Sequence, residues 1–168
     1  MERILKEPRF DFLSDSSKAF LFAFDCEMEA LGYHFGESIG DGYCWGRYMV
    51  IYRKRNVQSD QVYARVYLRD NDIVLRLFLN KIDKHRSYLE QAEPFILAPF
   101  TGKRGDCTHC HNEKDSTCKF RKSYTLFNRS IEKCNGITFE YFEPDIADIP
   151  SYIALFREFY PERRKTAN

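Results

Sequence analysis

The stretch Val62-Tyr63-Ala64-Arg65-Val66-Tyr67-Leu68-Arg69-Asp70-Asn71-Asp72-Ile73-Val74-Leu75-Arg76-Leu77-Phe78-Leu79 decides the fold. Before Asp70, apolar and polar residues alternate with period two, which lays one face of a β-strand against a core, and the β-branched, apolar run after Asp72 reads as its partner strand. Asp70-Asn71-Asp72 supplies residues that tolerate left-handed backbone, so the two strands are predicted to turn tightly and pair antiparallel. Val62, Ala64, Val66 and Leu68 then share one face, expected to pack under helices, while Tyr63, Arg65, Tyr67 and Arg69 share the other. Upstream, Trp45 to Arg53 predicts a third strand, joined to the pair through the polar residues 56–60.

Outside these strands the period changes. Ser14-Asp15-Ser16 offers a helix N-cap, and Phe20, Leu21, Phe24, Met28 and Leu31 recur at helical spacing before Gly32. Asp25, Glu27 and Glu29 on that helix read as surface charge. Residues 32–46 carry five glycines and read as a loop or a glycine-loosened strand. Asp83 is expected to cap a short helix that stops near Pro94, with Pro99, Gly102 and Gly105 marking a break. A strand over Ile137–Phe142 follows. The last helix is predicted from Asp148, with Pro150 in its first turn, Ile149, Ile153, Phe156 and Tyr160 on one face, and an end before Pro161. The fold class is α+β: an antiparallel β-sheet with helices packed on one face. The 168 residues are expected to form one domain, with 99–136 as a metal-binding excursion from the sheet.

That excursion holds four of the six cysteines. Cys107 and Cys110 form C-x-x-C, seven residues separate Cys110 from Cys118, and fifteen separate Cys118 from Cys134. Four thiolates are soft ligands that hold zinc tetrahedrally at roughly 2.3 Å, so Cys107, Cys110, Cys118 and Cys134 are the candidate ligands of one structural zinc per chain. An iron–sulfur cluster on the same four thiolates is the alternative that ligand identity cannot separate. His109 and His111 are substitute ligands if a cysteine stands too far away. Cys107-Thr108-His109-Cys110-His111 also spells the c-type haem attachment motif, but haem would leave Cys118 and Cys134 unexplained. A thioredoxin-like dithiol needs an apolar helix after its first cysteine, and the residues from His111 to Ser116 are polar.

Charge sets no global field, because 26 basic residues face 25 acidic ones. No apolar run suits a signal peptide or the roughly 20 residues of a membrane span, which predicts a cytoplasmic protein without a membrane partner. In that reducing setting clustered cysteines favour metal over disulfides. Locally, Lys103, Arg104, Lys114, Lys119, Arg121, Lys122, Arg129 and Lys133 interleave with Phe120, Tyr124 and Phe127, a pattern suited to nucleic acid as well as to balancing thiolate charge. The polar face of the sheet offers Trp45, Tyr63, Arg65, Tyr67 and Arg76, with Tyr48 or Tyr52 if register permits, as a surface for a planar or anionic small molecule. No catalytic constellation stands out; an enzyme would have to build one in that aromatic, Arg-lined cleft.

Cys107-Thr108-His109-Cys110, the run Cys118-Lys119-Phe120-Arg121-Lys122-Ser123-Tyr124, Glu132-Lys133-Cys134 and Asp148-Ile149-Pro150-Ser151-Tyr152-Ile153 together resemble a group of small uncharacterised bacterial α+β proteins. The resemblance covers the last third of the chain best. It implies a four-cysteine metal site at the positions named and no particular activity. The leading expectation is therefore a zinc-binding cytosolic protein of non-enzymatic type, holding a small molecule or a partner. The alternatives are a nucleic-acid-binding module and an enzyme using the aromatic cleft.

Overall fold

The computed structural model describes residues 1–55, 60–110 and 118–161. In chain order these form α1 (Glu2–Leu5), α2 (Asp15–Ala30), β1 (Tyr33–His34), β2 (Gly40–Asp41), β3 (Tyr48–Lys54), β4 (Ala64–Leu68), β5 (Ile73–Phe78), α3 (Arg86–Leu89), α4 (Pro94–Thr101), β6 (Arg121–Leu126), β7 (Arg129–Cys134), β8 (Thr138–Phe142) and α5 (Ile149–Phe159). The fold is α+β. One sheet runs in the order β1-β3-β4-β5-β8, with β2 on the same edge of β3 as β1; the hairpin β6-β7 forms a second sheet.

The chain divides into two compact units, one of residues Met1–Leu77 with Glu140–Asn168 and one of residues Phe78–Phe139. In the first, α2 begins where its cap demands: Ser14 Oγ accepts the Ser17 amide at 3.1 Å. Cross-strand partners Tyr52 and Ala64, Val50 and Val66, and Tyr48 and Leu68 share one sheet face. That face is buried together with Phe20, Leu21, Phe24 and Met28 of α2 and Ile153 and Phe156 of α5. Phe24 meets Tyr52 edge-on at 5.6 Å, and Tyr33 meets Phe156 at 4.9 Å. Each such ring withdrawn from water contributes roughly 1.5–3 kcal/mol. The period-two reading of Ala64, Val66 and Leu68 is borne out, since all three are fully buried.

Two expectations about this unit fail. Asp25 is not surface charge: it is 4 % exposed, accepts the Tyr52 hydroxyl at 3.2 Å and lies 3.7 Å from the amino group of Met1. Helical phase explains it, because Asp25 follows Phe24 and shares the buried side with Leu21 and Met28. Burial pushes its carboxyl above the usual range, against the pull of the ammonium and of the Tyr52 hydroxyl. A raised acid binds its proton more tightly when folded, so its contribution to stability is greatest below the unfolded value and is lost as pH rises through the folded one. The variant Asp25→Asn, in which the amide oxygen still accepts from Tyr52, should therefore show a shallower fall in stability than the parent as pH rises above the ordinary carboxylate range, about 4. Urea titrations at several pH values check this, and parallel slopes for the two chains would contradict it.

Tyr63 is the second failure. Strand β4 starts one residue later, at Ala64, so the alternation does not extend to Tyr63. Its ring packs with Tyr33 at 4.9 Å and Tyr160 at 4.8 Å instead of joining Arg65 and Tyr67.

The second unit departs further from expectation. Pro94 does not end a helix but opens one, at the first position, where its missing N–H costs nothing. Pro99 lies inside α4 and not at a break; in an eight-residue helix it removes a single backbone bond. Asp83 caps no helix. It sits inside the turn Ile82–His85, which Lys81 opens with a left-handed φ of 61°, and its carboxylate accepts the Thr125 amide at 2.8 Å. The excursion expected at 99–136 is part of this longer unit, which has an apolar core of its own: Leu79, Ile82, Leu89, Ile96, Phe100, Tyr124, Leu126 and Phe139 are buried. Phe100 stacks on Phe139 at 4.0 Å, and the Tyr124 hydroxyl donates to the Phe100 carbonyl at 2.6 Å. Burial of that phenol pushes its pKa far above the usual tyrosine value.

Candidate metal centre

Strand register brings Cys107 and Cys134 to one face. Residues 105–107 run antiparallel to β7: the Cys107 amide donates to the Glu132 carbonyl at 2.9 Å, the Cys134 amide donates to the Gly105 carbonyl at 2.7 Å, and Asp106 bridges to Lys133 between them. Alternation then sends Cys107, Glu132 and Cys134 to one face and Asp106 with Lys133 to the other. On the far side of β7, Arg121 is the cross-strand partner of Cys134 and shares its face. Cys118 enters from the turn that precedes β6, its carbonyl accepting the Arg121 amide at 3.1 Å. Gly105 adopts φ 73°, a left-handed conformation that a side chain would strain, just where the chain joins β7.

Lys133 holds this strand from the reverse face. It is 3 % exposed, and its ammonium donates to the carbonyls of Gly102 and Arg104 and, at 2.6 Å, to the Asp106 carboxylate. The ladder has no room to spare on this side: a Cβ on Gly136 would stand 2.9 Å from the Cβ atoms of Lys122 and Lys133.

The result is a cavity of about 40 Å³ lined by Cys107, Thr108, His109, Cys110, Cys118, Phe120, Arg121 and Cys134. All four candidate cysteines line it, although they span 28 positions of sequence (134 − 107 + 1), but among the described residues no three of their sulfurs form a group within 4.8 Å. Cys107 and Cys118 are half-buried; Cys110 and Cys134 are exposed. Among the described residues, the donor atoms of Cys107, His109 and Glu132 lie within 4.8 Å of one another, so these three could hold a metal ion. His109 was foreseen as a substitute ligand. Glu132 was missed, and its signal was the alternation that places it two residues from Cys134 on the same strand face. His111 lies outside the described residues.

The imidazole of His109 is held at both nitrogens. Arg121 Nη1 is 2.8 Å from Nδ1, and Nε2 is 2.9 Å from Glu132 Oε2. A guanidinium can only donate, so Nδ1 accepts and carries the lone pair, while the proton sits on Nε2 and is donated to Glu132. A thiol, an imidazole and a carboxylate within this reach make a mixed donor set suited to a transition-metal ion.

The expected ligand surface on the sheet is already filled by the protein. Trp45 stacks on Tyr67 at 5.5 Å, the Arg76 guanidinium lies 3.9 Å from the Trp45 ring centroid and 5.3 Å from that of Tyr67, and Arg76 pairs with Glu140 at 2.9 Å. The Tyr67 hydroxyl accepts from Arg65 Nη1 and Arg76 Nη1, both at 3.3 Å. Arg76 is only 8 % exposed, and Met49, Tyr67 and Val74 close the cluster beneath. The cation that was to meet a planar anion meets Trp45, Tyr67 and Glu140 instead. Tyr48 and Tyr52 point to the opposite, helix-covered face, as the pairing of Met49 with Tyr67 and Ile51 with Arg65 requires.

The basic residues around the cysteines are likewise drawn inward in part. Lys133 is buried on its three oxygens and Arg121 holds His109, which removes two cations from any phosphate-contacting surface. Lys114 lies outside the described residues. Phe120 and Phe127 are about half exposed, and Lys119 lies 5.1 Å from the Phe120 ring. No described helix is long and apolar enough to cross a membrane.

No family model, curated protein or solved structure matches the chain.

Proposed function

We propose that the chain is a zinc-binding, non-enzymatic protein in which one structural zinc, held by Cys107, Cys110, Cys118 and Cys134, ties together three segments of the unit 78–139. One observation carries this reading: four thiols scattered along the sequence border a single small cavity. Arg121 lies in the same wall and offsets thiolate charge. Bound zinc would act as a cross-link between the strand at Cys107, the turn at Cys118 and the end of β7, adding its binding free energy to that of folding. Because the unit also has an apolar core, loss of metal is expected to loosen the segments near the cavity and to leave Phe100, Tyr124 and Phe139 packed.

The wider role that fits best is the binding of a protein partner or small molecule in the cytoplasm. The exposed rings of Phe120 and Phe127 support a partner at the cysteine unit more than the occupied sheet face supports a small ligand. The test of the metal reading is elemental analysis of protein purified without added metal, with its visible spectrum. One zinc per chain and no colour is the expected result. Cys118→Ser and Cys134→Ser should each bind substoichiometric metal, and hydrogen exchange should quicken at residues 102–110 and 118–121. Full retention of one metal in both variants would overturn the ligand assignment, and bound iron with visible absorption would replace zinc by an iron–sulfur centre.

A further inference from the structure

The ring of His109 is set up as a metal ligand although the four thiols alone would complete a tetrahedral site. Metal-bound histidines commonly donate their second ring nitrogen to a carboxylate, which fixes the tautomer and aims the lone pair of the first. His109 has this arrangement already: Nε2–H is directed to Glu132 at 2.9 Å, leaving Nδ1 as the free donor. What Nδ1 now holds is a cation, the Arg121 guanidinium at 2.8 Å, in the wall of the thiol-lined cavity. A metal ion at that nitrogen would take the place of one positive charge by another. The third member is Cys107, whose sulfur lies with the imidazole and carboxylate donors within 4.8 Å.

Among the four cysteines, the one that His109 can replace with least disturbance is Cys110. The two are neighbours in one loop, so an exchange between them leaves Cys107, Cys118 and Cys134 on their own elements. Cys110 is exposed, whereas His109 is half-buried against Glu132 and Arg121. His109 also adopts a left-handed φ of 53°, an uncommon conformation for a non-glycine residue that lies between the two knuckle cysteines.

We propose that His109, through Nδ1 and with Glu132 as its carboxylate partner, is an alternative to Cys110 as the fourth ligand of the metal centre, so that the centre keeps its metal when the Cys110 thiolate is withdrawn. This rests on the metal reading above. It makes Cys110 the dissociable thiolate of the site, free to react or to bind elsewhere without emptying the cavity, and it gives Glu132 the role of a positioning residue.

Cobalt(II) added to the full metal-free chain is the probe, because its ligand-field bands and its thiolate-to-metal absorption report donor type and number. The parent should bind one equivalent. Cys110→Ser should also bind one equivalent, with thiolate-to-cobalt absorption lowered by about a quarter as three sulfurs replace four. The double variant Cys110→Ser with His109→Ala should bind at least about tenfold more weakly, and Glu132→Gln should weaken binding about 10–100-fold in the Cys110→Ser background. Far-ultraviolet dichroism of each metal-free variant separates a ligand effect from misfolding. Loss of cobalt from Cys110→Ser alone, with the parent loaded, would overturn the exchange and leave the four-thiolate site standing. Unweakened binding by the double variant would overturn it too, and a parent that binds no cobalt would sink the metal reading itself.

Discussion

Lys133→Ala should destabilise the unit 78–139 by about 1.5–3 kcal/mol, because it removes a buried ammonium whose charge-assisted hydrogen bonds tie residues 102–106 to β7. The Nζ atom serves the Gly102 and Arg104 carbonyls and the Asp106 carboxylate while the side chain is 3 % exposed. Asp106 itself is half exposed and can turn to solvent, which keeps the loss below that of a fully buried ion pair. Lys133→Met, which keeps the stem and removes the charge, should recover little, since the carbonyls remain without a donor. Hydrogen exchange at the amides of Cys107 and Cys134, which close the ladder that Lys133 braces, is the direct measurement. Protection equal to the parent in both variants would show that the ladder stands without the lysine. The same substitution should weaken metal binding, because the Cys107 sulfur is positioned by that ladder.

Arg76→Ala should cost about 3–5 kcal/mol, a loss assigned to removing one partner of a buried pair. Glu140, 15 % exposed, would lose its cation; the Trp45 ring would lose the guanidinium 3.9 Å from its centre; and Tyr67 would lose one of its two donors. Trp45 is the chain's single tryptophan, so its fluorescence reports the change directly. The competing view, that Arg76 waits for a ligand, predicts the opposite sign: relief of an unpaired buried charge and a chain of equal or greater stability. Among the described residues only the Arg76 Nε–H lacks a hydrogen-bond partner in this guanidinium, too little to outweigh the Glu140 pair. Glu140→Gln, which keeps shape and one acceptor, should cost less than Arg76→Ala.

The sheet was legible because its signal is local. Ala64, Val66 and Leu68 announce a buried face by spacing alone, and the caps at Ser14 and Pro150 mark helix starts through chemistry confined to a few residues. Two of the misreadings share a cause: each concerned a residue whose role depends on a distant segment. Asp25 looks like solvent-facing charge until Tyr52, 27 positions on, arrives with a hydroxyl. Asp83 looks like a cap until Thr125 of β6 takes its carboxylate. Pro94 and Pro99 signal a helix boundary, and sequence alone did not say that the boundary opens a helix. At the candidate site Cys107 and the substitute ligand His109 were legible from residue type and clustering, whereas Glu132 and the structural use of Lys133 required the register of residues 105–107 against β7. Trp45, Tyr63, Arg65, Tyr67 and Arg76 read as one ligand surface; that Tyr63 packs elsewhere and that the other four contact one another was invisible without the strand limits and the position of Glu140.

The hairpin β6-β7 also sets an order of events during folding. Its connection is two residues, Phe127 and Asn128, both left-handed at φ 50° and 56°, the twist of a tight hairpin turn. Such a hairpin closes in about 1–10 µs, faster than contacts that require longer loops. Cys118 and Cys134 lie at its open end and should approach each other early, while Cys107 joins only when residues 105–107 dock against β7. On the metal reading proposed above, two of the ligand thiolates would thus come together before the cavity exists, and metal captured there would template the docking of residues 105–107. The rate of refolding should accordingly depend on free zinc concentration even if the final stability of the apolar core does not.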